Sequence, residues 1–247
     1  MLSNLIEDWA RGVARGFARL FAKSPLTPNS LTVIGLLLNI PVAYVLANGW
    51  FLLGGFLIIL AAVFDMLDGA LAKVQGKVTK FGAFLDSNFD RYGETISFFG
   101  LLLYYLISDE TNRVVGVLLV FAAATGSLLI SYVKARAEGL GMECKTGLMP
   151  RPERIAIIAI GCIVAHFAPV AIIIALWILA VGTHVTAFQR IIYIWAKTQR
   201  QLREEQAEVA SIAQVSPEVK AKSKKSEQNE DESEKTARKF WSFRRIN

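Results

Sequence analysis

The chain has 247 residues, is 53% hydrophobic, and carries a formal net charge of +6 from 27 Lys and Arg against 21 Asp and Glu. That is too apolar for an ordinary soluble domain, and the positive charge, gathered around the ends of apolar stretches, points to anionic lipid headgroups and not to nucleic acid. Two cysteines, Cys144 and Cys162, make no disulfide framework; they read as a reduced loop thiol and a small apolar filler.

In chain order, residues 1–24 alternate bulky apolar with charged residues at helical spacing. Arg11, Arg15 and Arg19 share one face; Trp9, Val13, Phe17 and Leu20 mark the other. This predicts an amphipathic helix lying in the membrane interface, with no cleavable signal peptide. A Ser-Pro-Leu-Thr-Pro turn follows, and Asn29 or Ser30 is the expected N-cap of the first spanning helix. Long uncharged runs then divide at Asn48-Gly49 and around His166–Pro169, giving six transmembrane helices at about 31–47, 51–73, 79–107, 113–137, 152–167 and 170–197.

Basic residues crowd one set of loops: Lys73, Lys77 and Lys80, then Lys134 to Arg154, then Lys197 to Arg203, while the opposite loops hold only Arg113. By the positive-inside rule both termini are cytoplasmic, so the expected location is a multi-pass protein of the plasma (inner) membrane. The last helix is expected to run on to about residue 213, and from Ser216 the Ser, Glu, Lys and Gln content reads as a solvated, partly disordered tail ending in a basic-aromatic patch, Lys239 to Arg245. The expected architecture is all-α: residues 1–24 interfacial, 25–200 a six-helix membrane domain, 201–247 a charged cytoplasmic tail. Ala122 and Gly126 form a small-xxx-small pair, a hint of close helix packing.

Four aspartates break the apolar pattern on the cytoplasmic side: Asp65, Asp68, Asp86 and Asp90. A carboxylate at mid-bilayer costs about 2.5–3.5 kcal/mol on insertion scales, so a group of them implies a polar cavity with a purpose. Asp65 and Asp68 are three apart and Asp86 and Asp90 four apart, so each pair lies on one helix face, and the short connection makes the two helices antiparallel neighbours. All four carboxylates can then converge on one volume. Such a set can hold two hard cations, Mg²⁺ or Mn²⁺, and clamp the attacking and leaving oxygens of a phosphoryl transfer. A cation-coupled transporter that uses buried acids is the alternative from another class.

The spacing Asp65-x2-Asp68-Gly69-x2-Ala72-Lys73-x8-Gly82-x3-Asp86-x3-Asp90 resembles the signature of the CDP-alcohol phosphatidyltransferase family, D-x2-D-G-x2-A-R-x8-G-x3-D-x3-D, at seven of its eight fixed positions. The departure is Lys73, which keeps the charge of the usual Arg but lacks its bidentate fork. Thr27-Pro28-Asn29-Ser30-Leu31-Thr32 also resembles the family, and the likeness covers about residues 25–200. The resemblance implies transfer of a phosphatidyl group from CDP-diacylglycerol, or a similar CDP-lipid, to an alcohol, with release of CMP. It implies Asp65, Asp68, Asp86 and Asp90 as metal ligands and Asp90 also as catalytic base. Asn29, Thr32, Asp68, Gly69, Ala72, Lys73 and Gly82 would bind the CDP moiety. A homodimer is the family-level expectation.

A second polar cluster bears on the acceptor. Ser131, Lys134, Arg151, Arg154 and Arg190 all fall at the cytoplasmic ends of helices 4, 5 and 6. Arg151 and Arg154 sit in the first turn of a helix, where an anion is favoured, and arginine matches phosphate oxygens bidentately. An acceptor already carrying a phosphate is therefore expected: inositol 1-phosphate or glycerol 3-phosphate. The segments Ser131–Glu138, Arg151–Arg154 and Gln189-Arg190 resemble the family's phosphatidylinositol phosphate synthases, with phosphatidylglycerophosphate synthase as runner-up.

Overall fold

The computed structural model describes residues 27–108, 112–144 and 146–243, from 211 onward by the backbone alone. The amphipathic helix expected over residues 1–24 lies outside the described residues, as do the side chains of the basic-aromatic patch. Regular structure among the described residues is all helical: α1 (Pro28–Ala47), α2 (Phe51–Val74), α3 (Lys80–Ile107), α4 (Arg113–Gly139), α5 (Arg151–Ala165) and α6 (Val170–Phe243).

The helix ends follow from local chemistry. Thr27, not Asn29 or Ser30, caps α1: its hydroxyl accepts from the Ser30 N–H at 3.2 Å, and Pro28 takes the first helical position, where a missing N–H costs nothing. Asn29 and Thr32 therefore belong to the first turns of α1. Thr79 caps α3 in the same way, accepting from the Gly82 N–H at 2.9 Å. Gly76 ends α2 at φ +64°, with the Lys77 N–H bonded to Ala72 O and the Gly76 N–H to Lys73 O. This Schellman closure needs the left-handed backbone that glycine adopts freely.

The first helix, not the α2–α3 connection, organises the bundle. α1 packs along both α2 and α3, which scarcely touch each other; α2 leans on α5 and α3 on α4. The expected side-by-side α2–α3 hairpin is thus wedged open by α1. Glycines set the closeness: a Cβ on Gly100 would lie 2.5 Å from Ala43 O across α1–α3, and one on Gly55 would lie 2.8 Å from Ala159 O across α2–α5. Gly126 lies against the Thr183 side chain of α6, in keeping with the small pair expected on α4.

The main core gathers Leu46, Ile58, Leu101, Val120, Cys162 and Leu176, one from each helix. Outside it the polarity of a soluble protein is inverted. Leu37, Ile40, Phe56, Leu118, Phe121 and Trp177 are exposed, while Asp68, Arg154, Thr183, Thr186 and Arg190 are buried. An apolar exterior on this scale requires lipid. Among the described residues four helices are long and apolar enough to cross a membrane: Pro28–Ala47, Phe51–Val74, Arg113–Gly139 and the Val170–Ala210 part of α6. α3 is interrupted by its own charges, and α5 has only 15 residues.

The chain divides into two compact units, Met1–Ile192 and Tyr193–Asn247. In the second, helix continues past the expected end near 213 as far as Phe243. Its Ala, Glu, Lys and Gln are good helix formers.

Candidate active site

Three of the four aspartates meet. Asp65 from α2 and Asp86 and Asp90 from α3 offer carboxylate oxygens that all lie within 4.8 Å of one another. Asp68 stands outside this group, one turn along α2, only 3% exposed, and its Oδ2 is buried with no hydrogen-bond partner. The expected convergence of all four is therefore a cluster of three with a fourth carboxylate turned into the adjoining cavity.

Arg151, in the first turn of α5, reaches across this cluster. Its Nη1 donates to Asp65 Oδ2 and its Nη2 lies 2.9 Å from Asp90 Oδ1. One guanidinium balances three crowded carboxylates incompletely. Together with the unpartnered oxygen of Asp68, this all-oxygen set fits a hard divalent cation such as Mg²⁺ or Mn²⁺.

Two cavities adjoin the acids, one lined by Asp86 and the other by Asp90. The first, of about 150 Å³, lies between the start of α1, the end of α2 and the start of α3. Asn29, Thr32, Asp68, Gly69, Ala72, Lys73 and Gly82, the seven residues expected to bind CDP, all line it, and so does Asp86. Its two glycines act differently. A Cβ on Gly69 would meet nothing within 4 Å, so this glycine leaves room for a ligand. A Cβ on Gly82 would sit 3.0 Å from Thr79 Oγ1 and 3.4 Å from Asn29 Oδ1, so that glycine lets α3 approach α1. Lys77, one of the basic residues of the α2–α3 connection, and Thr79 also line this cavity.

The second cavity, of about 220 Å³, is walled by Asp90 and by Ser131, Lys134, Arg151, Arg154 and Arg190, the five residues expected to hold an acceptor phosphate. They are not equally disposable. Arg154 is 3% exposed, and its Nε and Nη2 donate to both oxygens of Glu94, at 2.7 and 2.9 Å, while Nη1 donates to Met149 O. Arg190 donates from Nε to Thr146 O at 2.8 Å and from Nη1 to Ile130 O at 2.7 Å. Both arginines thus hold the segment between α4 and α5 as well as walling the cavity. Lys134 is exposed and lies 3.7 Å from Glu138.

Glu94 is the site residue that sequence reasoning missed. The available signal was its position four residues after Asp90, on the same face of α3 and inside an otherwise uncharged run. A third, smaller cavity of about 60 Å³ lies among Asp65, Glu94 and Arg151 and the apolar residues Ile58, Ile155 and Ile158.

Comparison with known proteins agrees with this arrangement. Residues 25–188 match the family model for CDP-alcohol phosphatidyltransferase. The phosphatidylinositol phosphate synthase of Mycobacterium marinum is 37% identical over 188 residues, covering 74% of this chain and 78% of the relative. That of Corynebacterium glutamicum is 38% identical over 187 residues, covering 74% and 84%. Among solved structures, the Mycobacterium tuberculosis phosphatidylinositol phosphate synthase with CDP-DAG bound superposes with a TM-score of 0.69 at 32% identity, covering 74% of this chain and 94% of that one. The same enzyme in complex with manganese and citrate gives a TM-score of 0.69 at 33% identity, covering 74% and 88%.

Proposed function

The chain belongs to the CDP-alcohol phosphatidyltransferase family, and we propose that it moves a phosphatidyl group from CDP-diacylglycerol to inositol 1-phosphate, giving phosphatidylinositol phosphate and CMP. The observation that carries this reading is the pair of cavities meeting at the acid cluster: Asp86 lines the one and Asp90, a helical turn later, lines the other.

The donor's CDP moiety occupies the α1–α2–α3 cavity, with Lys73 and Lys77 meeting phosphate charge and the space at Gly69 admitting the nucleotide. Its acyl chains stay in the bilayer against the apolar outer faces. The acceptor occupies the second cavity, its phosphate facing Ser131, Lys134 and Arg151 in the positive field of Arg154 and Arg190. The acceptor hydroxyl oxygen attacks the phosphatidyl phosphorus, the bond from that phosphorus to the CMP oxygen breaks, and Asp90 takes the hydroxyl proton. Asp65, Asp86 and Asp90 would hold the metal, with Asp68 adding a buried oxygen. A bound Mg²⁺ or Mn²⁺ supplies Lewis-acid neutralisation of phosphate charge.

The same reading carries the finer topology. α3 and α5 complete six spans around the polar site, both termini are cytoplasmic, and the site opens to the cytoplasmic side of the plasma membrane. Residues 1–24 form the interfacial helix, 25–200 the catalytic domain, and 201–247 a cytoplasmic tail; the protein works as a homodimer. The test is CMP release by purified protein in lipid micelles with CDP-diacylglycerol and Mg²⁺, offering inositol 1-phosphate, glycerol 3-phosphate, free inositol and serine separately. Release with inositol 1-phosphate alone is expected. Release with glycerol 3-phosphate would keep the phosphate cavity and change the product.

A further inference from the structure

Arg151 belongs to two sites at once. Its guanidinium holds Asp65 and Asp90, two of the three carboxylates that can gather around an ion, and its side chain also walls the cavity that takes the acceptor's phosphate. A guanidinium and a divalent cation compete for the same carboxylates, and as like charges they repel at this range. The phosphate cavity beside it offers an alternative partner, since a guanidinium binds phosphate oxygens as readily as carboxylate ones. Nor does the pairing with the acids use the whole group: Arg151 Nε is buried without a hydrogen-bond partner. Its neighbour Arg154 walls the same cavity but is locked bidentately to Glu94 and bonded to Met149 O.

We propose that Arg151 is an exchangeable counter-cation, displaced from Asp65 and Asp90 by the metal and taken up by the acceptor's phosphate, so that one side chain couples the two binding events. This rests on the reading of the acids as the metal site and of the second cavity as the phosphate site. The coupling is reciprocal: phosphate that draws Arg151 away tightens the metal, and metal that displaces it tightens the phosphate. Acceptor and metal therefore load together, and the acids stay charge-balanced until they do.

Two titrations without donor test this on the full chain in detergent micelles. Mn²⁺ binding is followed by electron paramagnetic resonance for the unchanged protein, Arg151→Gln and Lys134→Gln. Removing the competitor is expected to tighten Mn²⁺ about tenfold in Arg151→Gln. Lys134→Gln, which removes a cation of the same cavity that does not touch the acids, is expected to leave Mn²⁺ affinity essentially as it was. Inorganic phosphate binding is then measured by calorimetry with and without Mn²⁺. The unchanged protein is expected to bind phosphate several-fold more tightly with the metal, and Arg151→Gln to bind it weakly and alike in both conditions. Equal Mn²⁺ affinity in the unchanged protein and Arg151→Gln would overturn the exchange while leaving the metal site in place. Equal tightening in both variants would assign the effect to the general field and overturn it too. Absence of Mn²⁺ binding in all three proteins would overturn the metal reading itself.

Discussion

Asp90 and Glu94 stand one turn apart on α3, and their chemistry diverges with their partners. Asp90 sits with Asp65 and Asp86, touches Arg151 and faces the acceptor cavity. Asp90→Asn keeps the shape and removes the proton acceptor, so CMP release should fall by about 10²–10⁴-fold, while the helical circular dichroism and the elution profile stay as before. Glu94 instead closes a bidentate pair on a guanidinium that is 3% exposed. Glu94→Gln leaves that charge buried and uncompensated, at a cost of about 3–5 kcal/mol, to be read as a lower unfolding temperature in detergent. The acids were legible in the sequence because carboxylates deep in an apolar chain need a reason. The division of labour among the arginines was not legible. In sequence Arg151 and Arg154 are the same residue type in one helical turn; in the fold the Arg151 side chain is 31% exposed and held by Asp65 and Asp90, while that of Arg154 is 3% exposed and held by Glu94.

Helices were easier to read than their neighbours. Hydrophobic runs and caps placed all six to within a few residues, apart from the start of α1 and the far end of α6, where Pro28 and helix-forming polar residues extend them. The short α2–α3 connection, however, argued for a contact that α1 takes over, because the small residues that admit α1, Gly54 on α2 and Gly93 and Gly100 on α3, carry no directional signal in sequence. Two of the glycines turn this into a prediction. On Gly100 a methyl would fall 2.5 Å from Ala43 O and 2.6 Å from Ala43 Cα, so Gly100→Ala must part α1 from α3. The expected loss is about 1–3 kcal/mol, again a lower unfolding temperature. Gly69→Ala meets nothing within 4 Å and should unfold like the unchanged protein. Its methyl enters the donor cavity, so its KM for CDP-diacylglycerol should rise. An unchanged KM in Gly69→Ala would dissociate the cavity at Gly69 from the donor.

At the scale of the whole molecule, every residue assigned to chemistry lies between Asn29 and Arg190, inside the first compact unit and nearly within the matched residues 25–188. The remaining chain changes character. Beyond the membrane-length part of α6 the sequence turns polar and charged. Composition marked that boundary, although helix persists further than it suggested, since Ala, Glu, Lys and Gln all favour helix. A chain ended after residue 210 should therefore keep its metal requirement and release CMP at an unchanged kcat in micelles. It should differ only in properties that depend on a lipid surface, because the basic-aromatic stretch from Lys239 to Arg245 has the composition of a headgroup contact. The decisive comparison sets both chains side by side in neutral micelles and in vesicles containing anionic lipid. Equal rates in neutral micelles confine the chemistry to the first unit, and a slower truncated chain in anionic vesicles alone gives the tail a surface role. A truncated chain inactive in micelles as well would place a required element after residue 210, and the separation of catalytic unit and tail would fall.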